Sequence, residues 1–332
     1  MPLVRQTGDT WSMARIPGPR SLVHLAAFGG LITVLTPIWL LDLGVSRART
    51  MIRRGGEREI ERVSLDEADL AAVVDRGMPV ILTDLYERLD LTVRPDLDGL
   101  RSLHGGHSFA VQRHRADKPY FLYVGDYGAE RVGTDHLTIA EFLDDLWTDD
   151  GVRSTYKLFA ADGLGGGVGS IIEEMAVQLE RLAGRTADVH ASGIWIGSTG
   201  VTTPLHHDAW TGLLFQPVGS KRVVMFGPED RGNVYFSSPF RPTSRWSRLP
   251  ARSREADRSQ FPRLDRAVRF EARLGEGETL FIPPYWSHEV EALEPNVSIP
   301  FRFATRPIDH LNPGFLRPAV EVFHRKLTGL LR

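Results

Sequence analysis

Five short apolar runs in the second half of this chain, each bounded by turn-forming or polar residues, restrict it to a β-rich fold. They are Gly193–Gly197, Leu213–Val218, Arg222–Phe226, Thr279–Ile282 and Val297–Phe303. Runs of this length are too short for ordinary helices and suit strands. Packed this densely, they predict two antiparallel sheets stacked as a jelly roll. Gly219-Ser220 predicts a tight turn between two of the strands. Pro300, inside the last run, predicts an edge or a bulge, because proline cannot donate to a ladder.

The first half mixes elements. Ser64 is placed to cap a short helix, with Glu67 in the capping-box position. Met78–Thr83, His107–Gln112 and Tyr120–Val124 read as strands, and Tyr156–Ala161 is strand-like. Thr138 predicts the start of a helix over Ile139–Trp147, and a second helix is expected over 170–183 after the Gly163–Gly169 loop. The whole reads as mainly β with flanking helices, a double-stranded β-helix or jelly roll.

Outside that region the chain divides by composition. Residues 1–20 form a tail, and Ser21–Leu41 carries no Asp, Glu, Lys or Arg within an apolar segment ending near 46. Twenty helical residues would cover about 30 Å, enough for a bilayer core. His24, Gly29-Gly30 and Pro37 dilute that signal, and the alternative is an apolar helix packed on the domain or a partner. If it spans, the arginines at 47–54 favour a cytoplasmic catalytic domain. Residues 47–60 look like a linker, 61–310 like the main domain, and 311–332 like a C-terminal helix. Its stripe Phe315, Leu316, Val320, Phe323, Leu327, Leu330 is expected to pack on the core or a second subunit.

Net charge is −2, which gives no support for nucleic-acid binding. With no cysteine, disulfides, zinc knuckles, iron–sulfur clusters and thiol nucleophiles are excluded. Lysine occurs only at 118, 157, 221 and 326, so a lysine at a functional spacing carries weight. Residues 228–264 hold eight arginines against four acids. A solvated surface loop is the expectation there, with a surface for an acidic partner as the alternative.

The chemistry concentrates in two islands. Thr203-Pro-Leu-His206-His207-Asp208 is followed by Lys221 fifteen residues after His206, and a second island, Gly277–His288, ends eighty residues beyond Asp208. His206 and Asp208 are two apart, so on a strand they share a face while His207 points away. His288 is expected on a loop, stiffened by Pro283-Pro284. Two imidazoles and a carboxylate make a three-ligand face for Fe(II) that leaves positions open for chemistry. Lys221, with the Thr203 hydroxyl, suits the far carboxylate of a dicarboxylate cosubstrate such as 2-oxoglutarate. A lone His-x-Asp means little. Here Thr-Pro precedes it, and Lys221, Phe261-Pro262, Gly277–Pro283 and a histidine after Trp286 follow in order.

In those residues the chain resembles the JmjC/cupin-like 2-oxoglutarate oxygenases, of the factor-inhibiting-HIF asparaginyl hydroxylase type, over about 60–305. The resemblance implies iron ligands His206, Asp208 and His288, with Thr203 and Lys221 on 2-oxoglutarate and O2 as co-reactant. It also implies hydroxylation of a protein or peptide side chain, and dimerisation through C-terminal helices. Gly212 stands where many relatives have Asn. Tyr156 is the candidate for a tyrosine that supports the cosubstrate. Pro300 and Arg302 replace frequent Asn/Ser and Trp, and Arg302 either joins the anion site or faces solvent. A small-molecule oxygenase and a cupin-like scaffold without turnover are the competing readings. Trp195 and Trp210 are expected to pack in the core ahead of stacking on substrate, and His104, His107 and His114 match no ligand pattern.

Overall fold

The computed structural model describes residues 55–104, 108–115, 131–147, 152–159, 168–237, 245–304 and 306. The apolar segment 21–41, the strand expected at 120–124 and the C-terminal stripe lie outside these residues. So does the side chain of Tyr156, and so do those of His104, His107 and His114.

Two sheets form the domain. The five-stranded sheet runs β1 (Gly56–Glu59), β11 (Val268–Leu274), β10 (Lys221–Phe226), β13 (Ser287–Ala292), β8 (Thr202–His207). The nine-stranded sheet runs β2 (Glu61–Val63), β3 (Val80–Leu82), β12 (Thr279–Ile282), β9 (Thr211–Val218), β14 (Asn296–Phe303), β7 (Gly193–Gly197), β6 (Val152–Phe159), β4 (Ser108–Arg115), β5 (Arg131–Thr138). β1 joins β11 and β2 joins β3 in parallel, and every other named pairing is antiparallel. Gly56–Glu59, read from sequence as the end of a linker, is thus an edge strand.

From β8 to β14 the chain changes sheet at almost every turn, which is what makes a jelly roll. The Gly219-Ser220 turn is tight, with Gly219 at φ 74°, where an added Cβ would sit 2.3 Å from the Pro295 carbonyl. It is not a hairpin, because β9 and β10 belong to opposite sheets. Within β8 to β14, β10 and β11 alone are consecutive strands of one sheet, and residues 227–267 connect them.

Alternation along β10 explains the layers. Val223 and Met225 point between the sheets, meeting Leu214, Phe270, Leu280 and Trp286. Val224 and Phe226 point outward, where Val234, Leu249, Ala256 and Leu264 of the connecting segment cover them. The expected solvated loop is therefore wrong. The described part of the segment is a third layer, and its apolar residues, spread thinly among arginines, carry no period a sequence scan would detect. The largest core lies on the far side of the nine-stranded sheet, where Phe215, Phe281, Phe301 and Phe303 meet the helices.

Those helices are α1 (Leu70–Asp75), α2 (Leu97–His104), α3 (Ile139–Asp145) and α4 (Val168–Ala183). Thr138 caps α3 in a full capping box with Glu141, as its sequence predicts. Ser64 does not cap a helix. Its hydroxyl donates to Asp84 at 2.6 Å, and α1 starts later, capped by Asp69. The same hydroxyl accepts from the Asp66 amide at 3.1 Å, so it holds a turn and not a helix start. Pro300 sits in β14 beyond the last residue paired to β7, Ser298, beside a register shift between Val297 and Ile299. That satisfies the bulge expectation, although β14 is a central strand.

Candidate metal centre

β8 and β13 lie side by side, with His206 directly opposite His288. His288 is the second residue of a strand and not on a loop as expected; a left-handed Tyr285 (φ 65°) turns the chain into it. Asp208 follows the end of β8, and its carbonyl accepts from the Tyr285 amide at 2.8 Å. One ligand atom from each of His206, Asp208 and His288 lies within 4.8 Å of the others.

The imidazoles are set for ligation. His206 Nδ1 faces the Pro204 carbonyl at 2.9 Å and His288 Nδ1 the Trp286 carbonyl at 3.1 Å. A carbonyl only accepts, so each Nδ1 carries the proton and each Nε2 keeps a lone pair. Burial pushes both pKa values down, His206 well below the usual range with His288 adding to the effect, so both rings stay neutral. Burial alone would raise Asp208, but Arg245 and Arg302 outweigh it and hold the carboxyl well below its ordinary value. The donor set fits a divalent metal that prefers mixed nitrogen and oxygen ligands.

A bulge decides who faces this centre. Thr203 pairs with Val290 and His206 with His288, so β8 spends three steps where β13 spends two. Thr203 and His206 consequently line the same cavity between the sheets, although a spacing of three would separate them on a regular strand. Leu205 faces the outer layer. His207 also points outward, as alternation predicts, and receives Arg231 Nη1 at Nε2, 2.7 Å away.

Lys221 enters the cavity from β10, buried, with Nζ donating to Ser298 Oγ at 2.6 Å. Burial lowers its pKa to about 7. Arg302 turns inward. One nitrogen donates to Asp208 Oδ2 at 3.0 Å and another to the Ala191 carbonyl, while the guanidinium lies over Trp210. Its observed anion is the candidate ligand Asp208. Trp195 and Trp210 line the cavity and are not packed in the core clusters, contrary to expectation. Gly212 lines it too, and a Cβ there would meet only ordinary contacts, 3.7 Å from the Phe301 carbonyl. The backbone of Tyr156 pairs with Ile196, a cavity residue.

Three contributors escaped the sequence. Ser298 shares a face of β14 with Asn296 and Arg302, so alternation could have found it. Arg245 and Trp246 could not be found that way. They come from the outer layer: Arg245 Nη2 donates to Asp208 Oδ1 at 2.5 Å, and Trp246 stacks on His206 with ring centroids 4.6 Å apart.

The fold is that of the JmjC/cupin-like family, and the family model described as "Cupin-like domain" matches residues 66–308. The chain belongs to that family. A 106-residue stretch is 38% identical to HSPB1-associated protein 1 of Rattus norvegicus, covering 31% of this chain and 22% of that protein. Jumonji C domain-containing protein 5 of Drosophila melanogaster is 32% identical over 108 residues, covering 32% and 26%. Lysine-specific demethylase JMJ30 of Arabidopsis thaliana is 24% identical over 226 residues, covering 68% and 49%. The chain thus spans about a fifth of the length of HSPB1-associated protein 1.

Proposed function

We propose that this chain is an Fe(II)- and 2-oxoglutarate-dependent hydroxylase acting on a protein or peptide side chain. The reading rests on one observation: ligand atoms of His206, Asp208 and His288 converge within 4.8 Å in a cavity that also holds the buried amine of Lys221. His206 and His288 would hold iron through Nε2 and Asp208 through a carboxylate oxygen. Lys221 and Thr203 would receive the far carboxylate of 2-oxoglutarate, replacing Ser298 as the lysine's main partner. Bound iron, with 2-oxoglutarate and O2, supplies the oxidant, and succinate and CO2 leave.

The Nδ1 hydrogen bonds fix both imidazoles without reorganisation. A protein substrate is supported by the names of the relatives, one a lysine-specific demethylase and another a protein associated with HSPB1. The test is succinate formation from 2-oxoglutarate by anaerobically iron-loaded protein given O2, followed by mass spectrometry of candidate peptides for an added oxygen. Iron-loaded, folded protein that converts no 2-oxoglutarate with any substrate pool would sink the reading.

A scaffold without turnover has one observation in its favour. Both oxygens of Asp208 already accept from guanidinium groups. Such a protein would bind neither Fe(II) nor 2-oxoglutarate stoichiometrically.

A further inference from the structure

Among the described residues, the outer layer reaches the candidate metal centre through the short arm Arg245-Trp246-Ser247. It lies along β8, the edge strand, with the His207 amide donating to the Arg245 carbonyl at 3.1 Å and the Ser247 amide to the Leu205 carbonyl at 2.9 Å. Ser247 Oγ donates to the Val234 carbonyl and accepts from the Leu249 amide, tying the arm to the third core. Farther along, Glu289 accepts from the Ser253 amide, and Glu291 pairs with Arg252 and Arg254. The arm is therefore built, and Arg245 is held rather than free to wander.

Its guanidinium and that of Arg302 close on the same carboxylate from two sides. The centre thus carries one negative ligand, two neutral ones and two fixed positive charges, with Lys221 across the cavity. A divalent cation entering alone meets a carboxylate whose charge is already shared by two guanidiniums. A dicarboxylate entering alone meets two guanidiniums and the Lys221 amine, and no metal to chelate. Together they cancel each other's charge in a buried site where such terms are strong.

We propose that Arg245 couples metal and dicarboxylate binding, so that the centre holds a divalent ion firmly only when the diacid is present. This rests on the assignment of His206, Asp208 and His288 as ligands, and Arg245 acts through Asp208 as a positioning residue. Coupling of this kind is reciprocal: the metal must raise the affinity for the diacid by the same factor.

Isothermal titration of the full chain with Mn(II), with and without saturating 2-oxoglutarate under anaerobic conditions, reads the coupling without turnover. About a tenfold or larger gain in Mn(II) affinity with the diacid is expected. Arg245→Gln, which keeps N–H donors and removes the charge, should bind Mn(II) alone more tightly and show a smaller gain. Arg245→Lys should keep the wild-type gain. Should Arg245→Gln fail to fold, Arg302→Gln removes the same charge from the other side and should move both affinities the same way. Wild-type Mn(II) affinity that ignores the diacid, or an Arg245→Gln protein that binds Mn(II) alone no better, would overturn the coupling and leave the proposed chemistry standing. Folded wild-type protein that binds no Mn(II) under either condition would overturn both.

Discussion

β8 and the arm at 245–247 lie edge to edge and both touch the candidate metal centre, yet they come from opposite kinds of sequence. β8 carries its ligands in a local pattern that strand geometry makes legible. The arm sits among scattered arginines with no period, and its contribution exists only because a third apolar core folds over the sheet. One region writes its role in spacing, the other in packing. What the contrast teaches is that charge-rich stretches are not surface by default. Here Arg231, Arg245, Arg252 and Arg254 all find partners inside the fold.

The largest effect should come from cutting the link between the two regions. Asp208→Ala and His206→Ala should both abolish metal binding, but Asp208→Ala should also lower the melting temperature more. It leaves Arg245 and Arg302 facing one lost partner, and breaking a buried pair costs about 3–5 kcal/mol. Partial exposure of Arg245 places the expectation at the low end. Equal melting temperatures for the two variants would mean the arm is not held by that carboxylate.

Lys221 tests the barrel side alone. Lys221→Ala should raise the 2-oxoglutarate requirement by on the order of a hundredfold or more, since a buried diacid carboxylate would lose its counter-ion. An unchanged requirement would remove Lys221 from the role. The wild type adds a sign. The folded pKa is depressed from 10.5 to about 7, so between those values the unfolded chain binds more protons and stability rises with pH. A bound dicarboxylate favours the charged form, so diacid binding above pH 7 should take up a proton and weaken as pH climbs. Titrations in two buffers of different ionisation enthalpy would measure it, and no buffer dependence at pH 8 would contradict it.

Glu291→Gln tests the outer layer alone. The carboxylate sits buried between Arg222, Arg252 and Arg254. Losing its charge should loosen the layer and speed protease cleavage within 228–264, while metal affinity in the presence of diacid changes little. Cleavage at the wild-type rate would show that the apolar cluster holds the layer by itself. The smallest effect belongs to Gly212→Ala, where an added Cβ meets only ordinary contacts and the change should fall within about 0.5–1 kcal/mol by thermal melting. A larger loss would mean the strand backbone there is strained.

Much of this protein could be read before any coordinates. Short strands bounded by turns called for a jelly roll, Thr138 announced its helix, and the His-x-Asp spacing put two donors on one face while turning His207 away. Local chemistry decides such matters, because side-chain direction and capping depend on a few neighbouring residues. Folding alone decided the rest. The bulge in β8 set Thr203 beside His206 against simple alternation, Asp84 bonded Ser64 from across the fold, and Arg245 crossed from the outer layer to Asp208. Each of those depends on a partner distant in the chain, and such partners are chosen by packing, which no spacing records.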